Sequence, residues 1–262
     1  MGVTLQNLLP FSVEIIGLQV NDAGGYDIHH LKQLLAENGV VIIRNQSIDD
    51  DEFVTFLRQL GDLMFTAGEE AVPHQPWLNL VSNVGRDRTP RSVFHTDTSY
   101  IAKPPAYTAL KAILLPEYGG ETLFSNQYCA FETLPTQVKV KLSSATVLHE
   151  ASGVKLDDDL ESQAWHPLFQ RHPISGKIAL YLSTPERCQV IQGLNLEESQ
   201  RVIRLLYKHS IRHHRLYRHY WQNGDIVIWD NRCTMHRADH SKVIGDRILH
   251  RGLVASEVDD KG

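Results

Sequence analysis

From residue 78 onward the chain is cut into short apolar runs, and that punctuation constrains its fold more than anything else in it. Runs at 78–84, 107–114, 122–125, 179–183, 225–229 and 247–254 are rich in apolar and β-branched residues, and most are separated by Gly, Pro, Asn or Asp. Short runs bounded by turn residues read as strands. Helical spacing shows in three places. At 27–38, Ile28, Leu31, Leu34 and Leu35 share a face and Gly39 supplies a stop; at 50–60, Phe53, Phe56, Leu57 and Leu60 do the same before Gly61. At 196–209, Asn195 is a cap and Glu198, three residues on, completes a capping-box-like pattern. A buried strand is expected at 40–43. Many short strands with a few flanking helices predict a mainly β chain, a jelly roll with helices packed outside. The polar stretch 150–171 has no clear period and reads as a loop or active-site lid. One domain over 1–262 is the expected organisation, since β sandwiches and barrels of this length fold as single units.

Net charge is −5 over 262 residues, which gives no basic stripe for nucleic acid. The local cluster Arg212, His213, His214, Arg215 and Arg218 reads as a solvated face or helix end. Cys129, Cys188 and Cys233 are odd in number and widely spaced, which argues against a disulfide framework and for a reducing compartment. No apolar run reaches the roughly 18 residues a bilayer span needs, and no signal peptide is evident, so no membrane association and a cytoplasmic location are expected.

Two segments carry metal chemistry. His95-Thr96-Asp97 is an H-x-D, and on a strand its two outer side chains point to one face. Taken alone it is a weak signal, and an exposed polar pair at a strand end is the better reading. The buried run 225–229 supplies the support, because His236 follows it shortly afterwards. Two His and one carboxylate make a facial triad that suits iron(II) and leaves three coordination positions open. The remaining His have no ligand spacing of this kind and read as surface or packing residues, and Cys233 reads as packing. Arg247 and Arg251 are four residues apart on the last strand, so both can face one pocket. Buried, they call for anions, either internal or external; turned outward, they need none.

Several motifs occur together in a fixed order. They are Phe94-His95-Thr96-Asp97-Thr98-Ser99-Tyr100, Lys103-Pro104-Pro105, Gly119-Gly120-Glu121-Thr122-Leu123-Phe124, His172-Pro173 with Ser175-Gly176-Lys177, the segment from Asp225 to Asp230-Asn231-Arg232, then His236 and Arg247 to Arg251. In this the chain resembles the taurine dioxygenase and phenoxyacetate dioxygenase family of iron(II)/2-oxoglutarate oxygenases, over nearly its whole length. The resemblance implies a double-stranded β-helix, cupin-like core and a metal held by His95, Asp97 and His236. It implies 2-oxoglutarate as cosubstrate, bound by Thr122 and Arg247, with O2 as oxidant. Arg251 matches the residue that meets the anionic head of the primary substrate. Arg91, Thr98 and His74 fall at or near substrate-contacting positions, and Arg91 and Thr98 depart from the taurine-using pattern. The implied reaction is hydroxylation of a C–H bond in a small anionic molecule (a sulfonate, sulfate ester, aryloxy acid or modified amino acid), releasing succinate and CO2. Asp97 favours hydroxylation over halogenation. Desaturation or cyclisation with the same cofactors, and a non-catalytic metabolite-binding β-helix, are the competing readings. The resemblance also implies a homodimer or homotetramer.

Overall fold

The computed structural model describes residues 2–22, 26–85, 92–154, 156–157 and 159–255. In chain order the first elements are β1 (Thr4–Asn7), β2 (Val13–Ile16), α1 (Ile28–Asn38), β3 (Val40–Ile43), α2 (Asp50–Leu60), β4 (Leu63–Met64), β5 (Ala71–Val72), β6 (Gln75–Ser82), β7 (Tyr107–Leu114) and β8 (Thr122–Asn126). Then come α3 (Gln127–Glu132), α4 (Thr136–Lys141), β9 (Thr146–Glu150), β10 (Gln163–Pro167), β11 (Phe169–Arg171), β12 (Ile178–Leu180) and β13 (Cys188–Ile191). The last are α5 (Leu196–Ser210), β14 (Leu216–His219), β15 (Ile226–Asp230), β16 (Thr234–Ala238) and β17 (Ile248–Val254). The large sheet runs β1-β2-β3-β15-β7-β17-β6-β5 with β4 added on β17, and a smaller sheet runs β14-β8-β16. The pairings are antiparallel except β2 with β3.

Side-chain alternation along the central strands builds the layers. Val41, Ile43, Ile226 and Ile228 turn outward into one cluster with Leu31 and Leu35 of α1 and Phe53 and Leu57 of α2. Their neighbours Val40, Ile42, Val227 and Trp229 turn inward, against Phe124 of β8 and Tyr217 of β14 on the smaller sheet. Both faces are therefore covered, which is why β3 and β15 are continuous apolar runs rather than alternating ones. Each such fully buried side chain contributes about 1.5–3 kcal/mol. A Cβ at Gly252 would stand 2.1 Å from Leu57 Cδ1, so α2 lies directly on β17 only because that strand carries glycine there. The fold is the jelly roll expected, with helices on the outside.

Helix caps follow the sequence closely. Asp27 accepts from His30 N, Asp49 and Glu52 form a complete capping box, and Asn195 accepts from Glu198 N. Two expectations need correction. The stretch 150–171 is not one loop: 163–167 pairs with β9 and 169–171 pairs with β12, while the described residues of 151–162 carry neither helix nor strand. Exposed Gln163, Trp165 and Pro167 alternate with buried Ala164 and His166 in β10, so the apolar residues do not mark the buried face. Arg215 is not on a solvated face. It is buried and donates to His209 O and to Thr133 Oγ1, closing the end of α5.

Candidate metal centre

Backbone pairing brings the first and last ligands together. His95 N donates to His236 O at 2.9 Å and His236 N donates to His95 O at 3.0 Å. Directly opposed residues of an antiparallel pair place their side chains on one face, and the two imidazole centroids are 4.4 Å apart. The expectation of a regular strand at His95–Asp97 is corrected here: His95 forms a single bridge, and Asp97 begins a turn that continues through Tyr100. His236, shortly after β15, lies within β16. Asp97 Oδ1 is 3.4 Å from His95 Nε2 and 3.9 Å from His236 Nε2, and the ligand atoms of the three residues lie within 4.8 Å of one another.

The electrostatics suit a cation. Burial opposes the charge on Asp97, but the His236 imidazole, the Arg251 guanidinium and His95 hold its carboxyl well below the usual range. Burial pushes His236 down to about 3, so its ring is neutral near pH 7, the form that binds metals. His95 Nδ1 is 3.0 Å from Val93 O, which leaves Nε2 for a ligand. His236 Nδ1 is buried without a partner, and its ring is held instead by packing against Trp229 at a 4.4 Å centroid separation. Asp97 Oδ2 accepts from Thr108 Oγ1 at 2.8 Å. Two imidazole nitrogens and one carboxylate oxygen on one side of a point match the facial triad of iron(II) sites, and no thiolate stands among them.

Arg247, just before β17, is 2% exposed. Its Nε donates to Gly120 O at 2.9 Å and its Nη2 to Thr122 Oγ1 at 3.4 Å. Among the described residues no carboxylate lies within ion-pair distance of it, and burial lowers its pKa to about 10. Gly120 has φ +80°, and a Cβ there would come within 2.9 Å of Arg247 Cδ, so glycine makes room for the guanidinium. Trp221 Nε1 donates to Thr122 Oγ1 at 3.1 Å and fixes that hydroxyl beside Arg247.

Arg251 also faces inward but is already paired. It donates to Glu69 and to Thr66 Oγ1 at 3.2 Å, and its Nη1 is 3.7 Å from Asp97 Oδ1. Of the two Arg, one therefore has an internal ion-pair partner, and the other has none among the described residues, Glu121 acting on it from beyond ion-pair distance. Asn79, opposite Arg251 in the β17–β6 register, is fully buried with neither side-chain amide atom bonded. Sequence reasoning missed Glu69 and Asn79; a polar residue inside an otherwise apolar strand was the only available signal for Asn79. Thr98 is half-buried in the turn after Asp97, with φ 46°, a left-handed conformation that costs a non-glycine residue about 1–2 kcal/mol. His74 sits exposed in the two-residue turn between β5 and β6, with φ 66°, because Val72 pairs directly with Gln75. Arg91 lies outside the described residues.

Known proteins resemble this chain over nearly its whole length. Residues 4–253 match the family model described as taurine catabolism dioxygenase TauD, TfdA family. An α-ketoglutarate-dependent 2,4-dichlorophenoxyacetate dioxygenase of Cupriavidus pinatubonensis is 28% identical, over 99% of this chain and 99% of its own length. An α-ketoglutarate-dependent sulfonate dioxygenase of Saccharomyces cerevisiae is 30% identical, over 91% of this chain and 62% of its own. A crystal structure of a taurine dioxygenase from Burkholderia xenovorans superimposes with a TM-score of 0.84 at 26% identity, covering 98% of this chain and 92% of that one. On the family match over nearly its full length, joined to the converging His, Asp and His, the chain belongs to the TauD, TfdA family of dioxygenases.

Proposed function

We propose that this chain is an iron(II)- and 2-oxoglutarate-dependent dioxygenase that hydroxylates a C–H bond of a small anionic organic molecule. The observation that carries this is Arg247, buried beside Thr122 with no ion-pair partner among the described residues, in the same barrel as the three convergent ligands. A desolvated guanidinium of this kind is stabilised by an external carboxylate, which it binds through two parallel hydrogen bonds. The relatives include enzymes named for sulfonates, sulfate esters and aryloxy acids, and all three substrate classes carry an anionic head.

His95, Asp97 and His236 would hold the metal. Bound iron(II) supplies oxygen activation coupled to oxidative decarboxylation of 2-oxoglutarate to succinate and CO2. Arg247 and Thr122 would grip the far carboxylate of that cosubstrate, with Trp221 keeping the Thr122 hydroxyl in place. Arg251 would orient the anionic head of the substrate, exchanging its Glu69 partner for it. Asn79, unpaired beside Arg251, offers a donor and an acceptor to the same molecule.

Succinate release tests the proposal: sulfonates, sulfate esters, aryloxy acids and amino acids are screened with iron(II) and 2-oxoglutarate, and the products are weighed. A stimulating compound should gain one oxygen, whereas desaturation or cyclisation would remove two hydrogens. His236→Ala should abolish turnover, and full turnover in that variant would remove His236 from the ligand set.

A further inference from the structure

Three buried side chains outside the ligand set form a chain of hydrogen bonds that ends on Asp97. Trp229 Nε1 donates to Asn231 Oδ1 at 3.0 Å, Asn231 Nδ2 donates to Thr108 Oγ1 at 2.8 Å, and Thr108 Oγ1 donates to Asp97 Oδ2 at 2.8 Å. Trp229 and Thr108 are 0% exposed and Asn231 is 2% exposed. Trp229 and Thr108 are also directly opposed in the β15–β7 pairing, so two sheet strands fix both ends of the link.

The direction of each bond is forced. An indole N–H can only donate, so Asn231 must turn its oxygen toward Trp229 and its NH2 toward Thr108. The Thr108 oxygen then already accepts from Asn231, and its single proton is left for Asp97. An ionised carboxylate can only accept, which agrees with that direction. The group with no acceptor at one end and the group with no donor at the other leave one arrangement of the protons between them.

The consequence concerns which carboxylate oxygen is free. Oδ2 is occupied by the Thr108 hydroxyl. Oδ1 is the oxygen facing His95 Nε2 at 3.4 Å, His236 Nε2 at 3.9 Å and Arg251 Nη1 at 3.7 Å. We infer that Trp229, Asn231 and Thr108 act as positioning residues that commit Asp97 to bind its metal through Oδ1 alone. Binding through one oxygen leaves the facial triad three open positions, whereas a second carboxylate oxygen would take one of them. A bidentate cosubstrate and O2 together need all three. Trp229 also packs tilted against His236, at 4.4 Å between centroids, so one side chain supports both a carboxylate and an imidazole ligand.

This inference rests on the metal-centre reading above, and the test separates the two. Cobalt(II) is titrated into wild-type protein and into Thr108→Val, Thr108→Ser and Trp229→Phe, following the visible d–d absorption and the dissociation constant. Val matches Thr in shape but cannot donate; Ser can. Thr108→Val should bind cobalt(II) about 10–100-fold more weakly, the range typical for loss of a partner that orients a metal ligand. Its absorption should shift, because Oδ2 is released. Thr108→Ser should restore both the wild-type spectrum and the affinity. Trp229→Phe keeps a ring against His236 but frees Asn231 to flip, and should change the spectrum in the same sense. Its effect stands as the test if Thr108→Val does not fold. A wild-type-like spectrum and affinity in each folded donor-less variant would overturn the relay. No cobalt(II) binding by wild-type protein would overturn the metal centre itself, and the relay with it.

Discussion

Replacing Arg247 with Met should leave the ligand-free protein about as stable as wild type while removing most of its affinity for 2-oxoglutarate. The side chain is 2% exposed, and burial lowers its pKa from 12.5 to about 10. At about 1.4 kcal/mol per pH unit, that drop amounts to roughly 3 kcal/mol of cost for holding the charge there. The folded-state pKa lies below the unfolded one, so this cost is fully present below pH 10 and is relieved only as pH rises above it. Met keeps the aliphatic bulk and removes the charge. It also removes the hydrogen bonds to Gly120 O and Thr122 Oγ1, worth about 1 kcal/mol each. The balance leaves the ligand-free variant within about 1 kcal/mol of wild type, a shift of at most roughly 4 °C in Tm. Binding behaves differently. Truncating one partner of a buried charge pair costs about 2–5 kcal/mol, or roughly 30-fold to several thousandfold in Kd. Thermal unfolding with manganese(II), with and without 2-oxoglutarate, reads both quantities. At 100 times the wild-type Kd the ligand stabilises wild type by about 2.7 kcal/mol, and the variant by less than about 1 kcal/mol. A variant that loses several kcal/mol without ligand, yet is stabilised by 2-oxoglutarate like wild type, would show Arg247 to be a structural cation and refute the reasoning.

Glu69→Gln removes the carboxylate that now occupies Arg251, and should tighten binding of ethanesulfonate as an anionic probe about fivefold, given that Glu69 is partly exposed and its pairing is correspondingly screened. Weaker binding in a calorimetric titration would instead make Glu69 a substrate ligand. His149 and His166 are buried and their pKa values are held below 6.5, chiefly by desolvation. On acidification the unfolded chain takes up these protons first. Stability is therefore full above about pH 6.5 and falls beneath it, by up to about 1.4 kcal/mol per pH unit for each imidazole. Denaturant melts of metal-free protein between pH 7.5 and 5 should show that decline, and a flat or rising profile would contradict it.

Much of the fold is visible in the sequence because it depends on local terms. Asp27, Asp49 and Asn195 cap their helices where the residue types say they should. The strand Tyr107–Leu114 has the bounds its mostly apolar run suggests, and its first five residues are buried. The strands 146–150, 188–191 and 216–219 were not legible. They are short and half polar, and acquire strand geometry from partners elsewhere in the chain.

The residue types of the metal centre were equally legible, because H-x-D, a later His and two Arg four apart are patterns in one dimension. Their relations were not. That Arg251 pairs with Glu69 while Arg247 has no ion-pair partner among the described residues depends on where the 65–70 segment falls against β17. That His95 and His236 meet depends on a single backbone bridge between positions 141 apart in the chain (236 − 95). That Thr108 holds Asp97 depends on the register of β7 against β15. Sequence sets which groups are available and what their chemistry is. Pairing register and burial set which of them touch, because hydrogen bonds and ion pairs act over a few ångströms, and only the folded chain brings these residues within that reach.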